Sequence, residues 1–232
     1  MDLRLRGCAA VLFALALAAP SSALMIDNFN EGLISLVDSD SEPGPSFQQN
    51  AGLGSANTIG GVRHTTATAG GVPLVGIPGT ASVVSVIGPL GTASVTALIS
   101  GSYNLFYDGI DDEVANTTDG GLFLDLTSQD AFVVNLVNLT ATAAEMRITL
   151  WDGNSGSNSP FMTPVTGVNT IPFTAFSGID FDDIRAIRLN ITEVNNLGEI
   201  VINDFYAVPE PGTALLLGIG LAGLASRRRG AH

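Results

Sequence analysis

At 232 residues the chain suits one domain with a substantial core, and its single cysteine rules out an internal disulfide. A formal charge of −13 with no lysine repels nucleic acid and anionic lipid, so neither is an expected partner of the central segment. Glycine, threonine, serine and valine dominate between the two ends, and helix signals are scarce there.

Arg4 and Arg6 open the chain with positive charge, and Cys8–Ala19 is an apolar run of about h-region length. Pro20 breaks that run, and Ser21-Ser22-Ala23 supplies small residues before Leu24. Residues 1–23 therefore read as a secretory signal peptide, cut between Ala23 and Leu24, with the secretion machinery and signal peptidase as its partners. Cys8 stands before the apolar run instead of after it, so no lipid anchor is expected. Residues 24–207 are the expected cargo domain. Between Leu24 and Val208 twenty acids face four arginines, a charge of about −16.

The expected cargo is all-β: a single antiparallel, jelly-roll-like sandwich between the signal peptide and a C-terminal transmembrane sorting helix. Ser39–Asn57 is polar, holds Pro43 and Pro45, and reads as one long loop. Strands are expected at Val62–Thr68, Ala81–Ile87, Ser94–Ile99, Ser102–Tyr107 and Ala131–Asn138. Glu145–Leu150 alternates polar and apolar as a half-buried strand should, and Ile187–Thr192 repeats the pattern in opposite phase. Ile200–Tyr206 closes the set. Turns are marked by Gly88-Pro89, Asp108-Gly109, Asp119-Gly120-Gly121 and the loop Asp152–Gly156.

Candidates for chemistry are few. The cargo's only histidine, His64, lies in a predicted strand with no partner signature, so a structural or exposed side chain is expected and no catalytic residue is assigned. A carboxylate pair of the glycosidase type is a third-ranked reading, since Glu31, Glu42, Glu113, Glu145, Glu193 and Glu199 are numerous enough to pair by chance. Structural calcium is the one cofactor considered, with Asp108, Asp111, Asp112 and Glu113 as its first candidate ligands. Asp180–Asp183 is the other dense acidic group, and Asp27 with Asp204 a further pair. Trp151, the single tryptophan, is the candidate sugar contact, weighed against simple packing; Tyr103, Tyr107 and Tyr206 are the other polar-tipped rings.

The tail begins at Val208. Gly218, Gly220 and Gly223 spell G-x-G-x-x-G, but no βαβ unit surrounds them and no acid follows, so a dinucleotide site is excluded. Thr213–Ala225 carries no charge and no proline, and as a helix it would extend about 20 Å, a marginal span of a hydrocarbon core about 30 Å thick. Arg227, Arg228 and Arg229 would hold its end on the cytoplasmic side.

Pro209-Glu210-Pro211, the short apolar helix and the arginine cluster together resemble the PEP-CTERM sorting signal of exported proteins of Gram-negative bacteria. The resemblance covers residues 208–232 and implies an inner-membrane-held precursor. An exosortase-like membrane protease would then remove the tail and release the protein to the cell surface or exterior. A second resemblance concerns the cargo. Met25–Phe29 and Ile202–Phe205 are similar to the paired terminal strands of galactose-binding-like jelly rolls, and Gly60-Gly61-Val62-Arg63 is similar to a turn of exported PEP-CTERM sandwich proteins. The expected function is that of an exported, noncatalytic surface or extracellular-matrix protein, associated with exopolysaccharide or biofilm. A carbohydrate-binding module with a defined sugar site is the alternative.

Overall fold

Alternation along the strands decides the architecture. The computed structural model describes residues 22–32, 34–39, 46–70, 81–87, 91–97, 100–110, 121–195 and 198–209. In chain order the strands among them are β1 (Leu24–Asp27), β2 (Ile34–Ser39), β3 (Ser46–Asn50), β4 (Arg63–Gly70), β5 (Ala81–Ile87), β6 (Thr92–Ala97) and β7 (Ser100–Tyr107). They continue as β8 (Ala131–Leu139), β9 (Glu145–Trp151), β10 (Gly156–Asn158), β11 (Gly167–Pro172), β12 (Ala186–Asn195) and β13 (Gly198–Val208).

Two antiparallel sheets result. One runs β11-β8-β13-β6-β5-β2, and β1 pairs with β13 beyond the end of β6; the other runs β10-β9-β12-β7-β4-β3. In β7 the residues Tyr103, Leu105 and Tyr107 enter the core, as do Ile187, Leu189 and Ile191 of β12 and Met146, Ile148 and Leu150 of β9. Phe132, Val134 and Leu136 of β8 and Ile200, Ile202 and Phe205 of β13 face them from the other sheet. The all-β sandwich expected from the alternating segments is the fold observed.

The strands differ from expectation mainly at the edges. Ser46–Asn50, inside the expected long loop, is the edge strand β3, paired with β4 from Ser46↔Ala67 to Asn50↔Arg63. β10 likewise falls within the polar segment after Trp151, and β2 and β11 are edge strands of the first sheet. Edge strands pair on one side only and tolerate polar residues, so their sequences look like loops. The expected strand Ser94–Ile99 is observed as Thr92–Ala97. Asp108-Gly109 and Asp152-Gly153 are turns as read, with Gly109 at φ 72° and Gly153 at φ 81°. The paired terminal strands are also as read: Leu24 opposes Ala207 and Met25 opposes Tyr206.

Candidate functional site

The Gly60-Gly61-Val62-Arg63 segment sets one end of the second sheet. Gly60 and Gly61 both have φ 69°, and a Cβ on Gly60 would meet Leu122 at 2.5 Å and the Gly109 backbone at 2.8 Å. That turn delivers Arg63 into the interior at the start of β4, fully buried. Its Nη1 donates to Asp27 Oδ2 at 2.6 Å, and its Nη2 donates to the carbonyls of Glu31 (2.8 Å) and Gly32 (2.6 Å). Asp27 Oδ2 also accepts from Tyr107 Oη at 3.0 Å, and Oδ1 from the Phe29 amide at 2.8 Å. Burial pushes the Asp27 carboxyl above the ordinary carboxylate range, opposed by the Arg63 guanidinium and these donors. Burial pushes the Tyr103 and Tyr107 hydroxyls up as well. This cluster is a structural pin between the terminal strands and β4, and it takes Asp27 out of any cation site shared with Asp204.

The other face of the same sheet is chemically different. Register places His64 opposite Phe106, and Phe106 opposite Arg188, which in turn opposes Thr149. These side chains alternate with the core-facing ones and so point away from the other sheet. A row of rings crosses it. Phe47 stacks on His64 with centroids 5.8 Å apart, His64 meets Phe106 edge-on at 6.1 Å, and Phe106 meets Trp151 edge-on at 5.6 Å. The Arg188 guanidinium lies 5.1 Å from the Trp151 ring, and Arg147 lies 4.3 Å from the ring of Phe161. Beside the rings runs a polar ladder. Asn190 Nδ2 donates to Asn104 Oδ1 at 2.8 Å, and Asn104 Nδ2 to Thr66 Oγ1 at 3.1 Å. Phe47 is 40% exposed and Phe161 43%, while Trp151 is half-buried.

The turn that follows Trp151 is held by Asp152. Its Oδ1 accepts from the amides of Asn154 (2.9 Å) and Ser155 (2.7 Å), and its Oδ2 from that of Asp180 (2.9 Å). Burial works to raise this carboxyl, but the donors outweigh it and hold it below the ordinary carboxylate range. Gly156 pairs with Trp151 in register, and a Cβ there would touch Trp151 Nε1 at 2.7 Å.

A concavity of about 210 Å³ opens elsewhere, at the seam of β1 and β13, lined by Met25, Asn28, Asn30, Gly91, Asn203 and Asp204. Asp204 Oδ2 accepts from Asn203 and Asn135, while its buried Oδ1 has no partner.

Among the other sequence-derived candidates, His64 is fully buried with Nε2 3.0 Å from Asp108 Oδ1, a structural pairing. Asp108 is buried and also accepts from the Ile110 amide at 3.1 Å; Asp111, Asp112 and Glu113 lie outside the described residues. Among the described residues no group of three or more His, Cys, Asp or Glu could hold a metal ion. Tyr103 and Tyr107 are core residues and cannot meet a sugar, which leaves Tyr206, half-buried. Asp183 pairs with Arg185 at 2.7 Å. Sequence reading passed over Phe47, Asn104, Phe106, Arg147, Arg188 and Asn190. For Arg147, Arg188 and Asn190 a signal existed, because the alternation in β9 and β12 already put them on the polar phase.

At the other end of the chain β13 stops at Val208, and Pro209 follows at the edge of the described residues. Residues 207–229 match the model of the PEP-CTERM protein-sorting motif. The chain carries a PEP-CTERM sorting motif. Within it Glu210, Pro211, Arg227, Arg228, Arg229 and the expected helix 213–225 lie outside the described residues, as does the expected signal peptide up to Ser21. Among the described residues no helix is long and apolar enough to cross a membrane. No curated protein matches the chain. Solved structures similar to it include the family 11 carbohydrate-binding module of the cellulosomal cellulase Lic26A-Cel5E of Clostridium thermocellum, at 15% identity and TM-score 0.37, over 82% of this chain and 96% of that one. The Clostridium thermocellum family 11 module in complex with a β-1,3-1,4-mixed-linked tetrasaccharide is similar at 17% identity and TM-score 0.38, over 82% and 98%. TmCBM61 in complex with β-1,4-galactotriose is similar at 13% identity and TM-score 0.35, over 82% and 100%.

Proposed function

We propose that this is an exported, noncatalytic surface or extracellular-matrix protein that holds polysaccharide on the outer face of its second sheet. In this reading the signal peptide is cut before Leu24, and the PEP-CTERM motif keeps the precursor in the inner membrane until an exosortase-like protease removes it. The observation that carries the glycan reading is the composition of that sheet face. Half-exposed rings at Phe47 and Trp151 offer apolar platforms for sugar faces, and the part-exposed Asn104 beside them, held by the buried Asn190, offers an amide for hydroxyls. The noncatalytic reading rests on His64, the cargo's only histidine, which is buried beneath Phe47 and committed to Asp108.

Because Trp151 is the only tryptophan, its fluorescence reports directly on this face. Titration of the full chain with a glycan panel should give a saturable change in tryptophan emission. A parallel calorimetric titration should lose its binding signal in Trp151→Ala. A panel that produces no saturable binding by either readout would exclude a defined sugar site.

A further inference from the structure

The proposed face carries charge that the rest of the protein does not. Of the four arginines between Leu24 and Val208, Arg63 is neutralised by Asp27 and Arg185 by Asp183. Arg147 and Arg188 have no carboxylate within ion-pair distance among the described residues. In a segment where acids outnumber bases five to one, two guanidinium groups without a carboxylate partner on one face are not the expected distribution. They are also neighbours: Arg188 opposes Thr149 and Arg147 opposes Asn190, so the two sit diagonally across the β9–β12 pair.

Both groups are held in place. Arg147 lies over the Phe161 ring and Arg188 over that of Trp151, within cation–π distance in both cases. Arg188 Nη2 donates to Thr149 Oγ1 at 3.2 Å, and Thr149 Oγ1 donates to Asn158 Oδ1 at 2.6 Å, which fixes the head group further. The Nε atoms of both arginines are buried and without a partner. Burial and the adjacent Arg147 charge push the pKa of Arg188 down, so the pair bears a mutual repulsion that a bound anion would relieve.

Building on the glycan reading above, we propose that the ligand is an acidic polysaccharide, whose uronate carboxylate sits between Arg147 and Arg188 while a sugar ring lies against Trp151. Two forks of N–H donors converging on one carboxylate give charge-assisted hydrogen bonds, which are stronger and more selective than bonds to neutral hydroxyls. The net negative charge of the rest of the protein repels the same polymer, so association depends on this one face and is sensitive to ionic strength.

The test is calorimetric titration of the full chain with polygalacturonate, with the same polymer after reduction of its carboxyl groups, with a neutral β-glucan and with a sulfated galactan. The expected result is binding to polygalacturonate that weakens by about tenfold or more on carboxyl reduction, as loss of charge-assisted bonds requires. Arg147→Gln with Arg188→Gln should abolish it while leaving the thermal melt cooperative; the polymer comparison stands even where that variant folds poorly. Equal binding of the native and reduced polymers, or binding of the neutral glucan alone, would overturn the acidic ligand and leave the glycan reading in place. Preference for the sulfated galactan would overturn the carboxylate assignment. No binding to any of the four would overturn this inference and, with a negative glycan panel, the reading on which it rests.

Discussion

At the scale of single residues, the buried pair Asp27–Arg63 and the turn anchor Asp152 carry different consequences. Removing one partner of a fully buried ion pair leaves an uncompensated charge, at a cost of about 3–5 kcal/mol. Asp27→Ala should therefore lower the urea midpoint sharply, and the joint change Asp27→Leu with Arg63→Met should restore much of the loss. Asp152 behaves in the opposite electrostatic sense. Its folded pKa is depressed, so its contribution is fully present above the ordinary carboxylate value of about 4 and is lost as pH falls below it. Asp152→Asn should give a shallower decline of stability in acid than the native protein, measured as melting temperature against pH. The sequence marked Asp152 as a turn residue through Asp-Gly, and Arg63 through Gly-Gly-x-Arg, so both positions were legible. That Arg63 points inward was not, because inward direction follows from the β4 register with β7, which the strand's own residues do not encode.

At the scale of elements, the strands with strict alternation were readable and the edges were not. β9 and β12 separate Ile148 and Leu189 from Arg147 and Arg188 by phase alone, and the fold obeys it. β3, reading Ser-Phe-Gln-Gln-Asn, has one pairing partner and a half-exposed surface, so nothing in its composition competes with a loop assignment. The row of rings was illegible for the same reason: Phe47 joins it only once β3 lies beside β4. The β9–β10 hairpin allows a direct probe. Gly156→Ala places a methyl group against the Trp151 indole and should shift the tryptophan emission while changing the urea midpoint little, because the edge strand can yield. An unchanged emission spectrum would mean that β10 does not pack on the ring. Gly60→Ala is the harsher change: it combines a positive φ with contact to the Gly109 backbone and should cost about 1–3 kcal/mol in the same unfolding assay.

At the scale of the whole molecule, the two ends of the sandwich lie side by side, Leu24 against Ala207, with Pro209 and the sorting motif immediately beyond. The intact mass of protein recovered from the host's envelope and culture is expected to show a species that starts at Leu24 and ends near the Pro-Glu-Pro segment. A membrane-bound species that retains Arg227–Arg229 would instead make the tail a permanent anchor. The order of synthesis gives the topology a further meaning. β13 is an inner strand of the first sheet, flanked by β8 on one side and by β6 and β1 on the other, and among the described residues it is the last strand in chain order. Until it emerges, those neighbours have no common partner and the sheet is split into pieces with open edges. On the export reading proposed above, a nascent chain would leave its sandwich unclosed until β13 is made, and an unclosed chain is the form that can be threaded through a narrow channel.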